Sequence, residues 1–83
     1  MYKVRLNRSL SGWLLIALDE ESRELVDRFY GDSLKPSERA DYGPLSEVLA
    51  FVVLRLRCKF GLGVSVCGDR LRSPVLRVWV RSY

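Results

Sequence analysis

Arg77, Trp79 and Arg81 occupy alternate positions in the stretch 75–81. In an extended chain alternate residues share one side, so two guanidiniums would flank an indole ring. Cations attract phosphates and carboxylates, and an exposed indole stacks on an unpaired base or anchors a protein contact. Lys3, Arg5 and Asn7 repeat the alternation near the other end of the sequence. If the first and last strands lie in one sheet, these six residues form a single basic face with Trp79 on it. Arg70 and Arg72, in the preceding loop, and the helix end 55–59 add positive charge nearby. The plainer account of the same pattern is a half-exposed antiparallel strand, whose arginine stems cover the apolar surface beneath.

Other chemistries lack their residues. The sequence has no histidine, which excludes Ser-His-Asp and Cys-His arrangements within one chain. Its two cysteines, Cys58 and Cys67, do not form a CxxC pair, so the usual tetrahedral zinc ligands are missing and no metal or other cofactor is expected. The spacing permits a disulfide, but two buried free thiols are the preferred reading. Glu20 and Glu24 stand one helical turn apart and could hold Mg²⁺, yet acids at a helix start follow from the helix dipole alone. Gly61-Leu62-Gly63 is too short for a phosphate loop and lacks the following Lys-Ser/Thr.

The net charge of +4 is unevenly spread. Residues 1–18 carry Lys3, Arg5 and Arg8 and no acid, and residues 48–83 carry seven bases against Asp69 alone. The middle is acidic, with the cluster Asp19, Glu20, Glu21, Glu24 and Asp27 at its start. Such a bipolar chain can bind an anionic partner, or associate with itself in a salt-sensitive way, acidic helix on basic sheet. No signal core begins the sequence, and its longest apolar run, residues 48–54, is far too short to span a bilayer, so a cytoplasmic protein without a membrane partner is expected.

The elements that must position the basic face follow from periodicity. With 83 residues the chain holds one domain. Residues 2–7 alternate and read as a strand with Tyr2, Val4 and Leu6 inward. After a turn at 9–12, the run 13–18 reads as a strand buried on both faces, forming a hairpin with the first; a helix from Gly12 is the competing reading. Asp19 caps a helix with Leu25, Val26, Phe29 and Tyr30 on one side, closed by Gly31. Residues 32–43 form a loop, with room for a helical turn after Pro36. Pro44 opens a second helix, which buries Leu45, Val48, Leu49, Val52, Val53 and Leu56 together with Phe51 and Leu54 and runs to about residue 58 before Gly61. The strict alternation over 54–60 is the strand-like competitor. A short strand at 64–67, a loop at 68–74 and a strand at 75–81, with Leu76, Val78 and Val80 inward, complete the order ββααββ.

The expected fold is a small two-layer α+β domain, an antiparallel sheet with two helices on one face. The expected function is non-enzymatic: a protein-binding module serving as accessory subunit, adaptor or inhibitor of a larger protein or nucleoprotein assembly. The strand bearing Trp79 would be open to such a partner, and could pair with one of its strands. Its contact residues would be Lys3, Arg5, Arg70, Arg72, Arg77, Trp79 and Arg81. The alternative is a domain that binds single-stranded DNA or RNA on the same basic face.

Overall fold

In the computed structural model, which describes residues 1–10, 12–31 and 43–81, the first and last strands pair with one another. The elements are β1 (Tyr2–Ser9), β2 (Gly12–Ala17), α1 (Glu20–Tyr30), α2 (Leu45–Leu54), β3 (Leu62–Asp69) and β4 (Ser73–Val80), and a π-helical segment, Arg55–Lys59, continues α2. The order ββααββ is as expected, and the fold is α+β. Four antiparallel strands form one sheet in the order β2-β1-β4-β3. The expected loop over 32–43 and its helical turn lie, apart from Gly43, outside the described residues.

Alternation decides which side of each strand is buried. Val4 and Leu6 of β1, Trp13 and Leu15 of β2, Leu62 and Val64 of β3, and Leu76 and Val78 of β4 are all buried. They join Leu25 and Phe29 of α1, Val48 and Val52 of α2, and Leu56 in one hydrophobic cluster. Several details depart from the sequence reading. Leu14 and Ile16 of β2, and Leu18 just past it, are exposed, because they alternate with the buried Trp13 and Leu15 and point to the sheet face away from the core. Val80 is 71% exposed, since it stands at the end of its strand, past the core. Leu54 is also exposed, because Val48, Val52 and Leu56 recur every four residues and leave it on the opposite side of the helix.

Helix ends follow local chemistry. The Asp19 carboxylate accepts the Ser22 N–H at 2.7 Å, with Glu20 and Glu21 in the first turn. The Ser22 hydroxyl and backbone N–H hold the Asp19 carboxyl below the usual carboxylate range, with a smaller contribution from the Lys3 charge. Pro44 is the N-cap of α2 rather than its first helical residue. The helical path over 54–60 prevails over strand-like alternation. Phe60 N–H reaches Arg55 O at 3.2 Å in the i→i+5 pattern, and Gly61 then takes φ +67, a left-handed conformation that suits glycine. Both cysteines are free, but neither is buried: Cys58 is exposed on the π-helical segment and Cys67 is half-buried on edge strand β3.

Ser22 also ties α1 to the sheet. Its side chain is fully buried and accepts the Lys3 backbone N–H at 2.7 Å. Ser22→Ala leaves that N–H without its acceptor and is expected to destabilise the fold by about 1–3 kcal/mol in urea denaturation. Ser22→Thr, which keeps the hydroxyl, tests the account: a loss equal to that of alanine would show that the hydroxyl is not what matters.

Candidate functional site: the exposed sheet face

The residues that alternate with the core line the opposite side of the sheet. Strand register places them in rows. One row crosses Ile16, Arg5, Val75 and Cys67, and the next sets Lys3 opposite Arg77, which is itself opposite Ser65. Beyond it Trp79 pairs with Gly63. Lys3 and Arg77 are exposed and Arg5 is half-buried. Side chains directly opposite on antiparallel strands have Cβ atoms about 5 Å apart, and like charges there repel. Among the described residues no carboxylate forms an ion pair with Lys3, Arg5 or Arg77; the Lys3 charge is felt by Asp19 at the rim. Arg5 keeps its Nε shielded from solvent without a hydrogen-bond partner.

Trp79 is held by the missing side chain of its neighbour. A Cβ built at Gly63 would overlap Cε2 and Nε1 of the indole, so the ring lies across the Gly63 backbone. Gly63 is consequently buried, whereas Trp79 is 39% exposed. One side of the indole thus serves the fold and the remainder is available for contact.

The other candidates separate from this group. Asn7 lies on the same face, but its Oδ1 accepts the Ser73 hydroxyl, a link between β1 and β4. Arg70 and Arg72 sit in the β3–β4 turn, where Asp69 Oδ1 accepts the N–H groups of Leu71 and Arg72. That turn is at the far end of β4, about 20 Å from Trp79 at the usual rise per residue. Arg70 donates to Val66 O at 2.8 Å along the outer edge of β3. Arg57 does the same to Val64 O at 2.8 Å. Arg81 follows Val80, the last residue of β4, and is exposed. The structure therefore brings Lys3, Arg5, Arg77 and Trp79 together and places Arg70 and Arg72 elsewhere.

One expectation is corrected. The strand bearing Trp79 is not an open edge: β4 lies between β1 and β3, so its backbone is already paired on both sides. A partner at this site would meet side chains, not add a strand. Sequence reasoning also missed the apolar flank of the face. Leu14 and Ile16, 41% and 38% exposed, border the cationic strip on the β2 side. Their signal was the run Trp13-Leu14-Leu15-Ile16, in which a strand buried on both faces and one with apolar residues on an open face look alike. No helix among the described residues is long and apolar enough to cross a membrane. Comparison with protein-family models finds no match to this chain, and comparisons with curated proteins and with solved structures find none either.

Proposed function

We propose that this chain is a non-enzymatic binding module whose exposed sheet face docks an acidic protein partner. In this reading both helices form a single layer on the buried side and leave the other side free for contact. The observation that carries the reading is the pairing of Lys3 with Arg77 on the two central strands, like charges set opposite with Arg5 in the next row. Their mutual repulsion is relieved when an anionic group settles between them. The surroundings favour a protein over a nucleic acid. Leu14 and Ile16 flank the cations on one side and Trp79 on the other, an apolar border that suits aliphatic side chains. Trp79 offers a single stacking surface, where a strand of bases uses successive ones.

The test is fluorescence anisotropy with a labelled peptide of alternating Glu and Leu, beside labelled single-stranded DNA and RNA of similar charge, at two salt concentrations. The peptide is expected to bind, and Arg5→Ala with Arg77→Ala to weaken it roughly tenfold or more while the thermal melt stays intact. Arg70→Ala with Arg72→Ala should leave affinity unchanged. Binding of the oligonucleotide alone, falling steeply with salt, would replace this reading with the nucleic-acid one. Equal binding by wild type and the Arg5/Arg77 variant would remove the face from consideration.

A further inference from the structure

The two edges of the sheet are treated differently. On β3, Arg57 and Arg70 occupy the outward carbonyls of Val64 and Val66. Charged side chains laid along an edge are a common protection against strand addition. The other edge, β2, contains no charged residue and no proline, and exposes Leu14 and Ile16. A groove of about 430 Å³ runs beside it, lined by Leu15, Ile16 and Ala17 of β2 and by Arg23, Val26 and Asp27 of α1. The outward Leu15 N–H is held by the Tyr30 hydroxyl at 2.7 Å, a bond that a strand carbonyl can replace.

We propose that the β2 edge pairs antiparallel with β2 of a second copy of this chain, joining two four-stranded sheets into one of eight. The pair is centred on Ile16, with the outward Leu15 N–H donating to the carbonyl of the partner's Ala17 and Leu14 opposite the partner's Leu18. What identifies the occupant as a second copy is charge. Arg23 and Asp27 are one helical turn apart on α1 and both line the groove. Among the described residues neither forms an ion pair within its own chain. An arginine preceding its acid by four residues is also the less favourable order within a helix. Ser22 is tied at the Lys3 level and Tyr30 at Leu15, so the middle of α1 lies level with Ile16. A two-fold axis through Ile16 makes the two α1 helices antiparallel, setting each Arg23 beside the partner's Asp27, as an isologous interface requires. Distances agree. With α1 packed over β1 and β2, and strands about 4.8 Å apart, the α1 axes would lie about 10 Å apart, an ordinary helix-packing distance.

The experiment is sedimentation velocity on the full chain across a dilution series at low salt. Wild type is expected to dimerise. Arg23→Asp and Asp27→Arg, each singly, should weaken the dimer roughly tenfold or more, by placing like charges at the seam. The double variant R23D/D27R should restore it. Both positions are exposed, and circular dichroism of each variant verifies that it folds. Arg5→Ala with Arg77→Ala should not affect dimerisation, which separates this edge from the basic face. A wild type that stays monomeric throughout, single reversals without effect, a double variant that fails to recover, or loss of the dimer in the Arg5/Arg77 variant would each overturn the proposal.

Discussion

Phe29→Ala should destabilise the domain by about 3–5 kcal/mol, the usual range for removing a buried phenylalanine. A domain of this length holds roughly 4–12 kcal/mol in all, so the variant will sit close to unfolding. Phe29 is fully buried at the end of α1. Its ring meets Tyr30 edge-on at 5.4 Å between centroids and lies nearly parallel to Phe60 at 6.2 Å. Phe60 ends the helical run after α2, so Phe29 couples the two helical segments across the core. The loss therefore includes that coupling as well as the buried area. Urea denaturation measures the effect, and at roughly 4–8 °C per kcal/mol a thermal melt should show it equally well. Phe29→Leu, which keeps most of the volume, should lose less than about 1.5 kcal/mol. A cost below about 1 kcal/mol for the alanine variant would mean that Phe29 does not hold this position in solution.

Gly63→Ala is expected to act against the ordinary rule. Alanine normally strengthens a strand relative to glycine, by roughly 0.5–1 kcal/mol. At position 63 the new methyl group would occupy the place of the Trp79 indole. The ring must lift off the sheet, at a cost of about 1–3 kcal/mol, the range for an overpacked contact. The proof lies in coupling. In a Trp79→Ala background the methyl group has room, and Gly63→Ala should become neutral or stabilising. Four variants in urea measure this cycle. Additive effects would show that the ring does not rest on Gly63. If Trp79 anchors a partner, Gly63→Ala should also weaken peptide binding, though no charge has changed. That result would distinguish a ring that must lie flat from a residue that merely contributes apolar area.

Much of this fold is written in local pattern. Alternation in residues 2–7 and 75–81 predicts two strands with Lys3, Arg5, Arg77 and Trp79 on a common side, and the structure pairs those strands. The Asp19 cap and the Phe29 face of α1 follow from capping chemistry and helical spacing. Pairing is another matter, because strand order and register depend on contacts between residues far apart in the sequence. Nothing near Lys3 announces that Arg77 will stand opposite it. Nothing near Trp79 announces a glycine on the adjacent strand. The exposure of Leu14 and Ile16 depends on the sheet being covered on one face and open on theirs, which the hydrophobic run cannot reveal. The positions of Arg57 and Arg70 were legible only as charge. That each guanidinium would end on a β3 carbonyl requires the edge to be known first.

The placement of β1 beside β4 has a consequence for how the chain reaches its native state. Tyr2 pairs with Val78, so the middle of the sheet closes only when residues from opposite ends of this sequence meet. Hairpins β1–β2 and β3–β4 can each form from neighbouring residues, but neither alone buries a core. Bringing the two hairpins together closes the most sequence-distant contacts of the sheet, the kind whose loop-closure entropy slows folding most. During synthesis the first hairpin and α1 wait, their apolar sides uncovered, until β4 has been made. A chain ending before Ser73 would lack an interior strand, and its β1 and β3 would each present an unpaired backbone to other molecules.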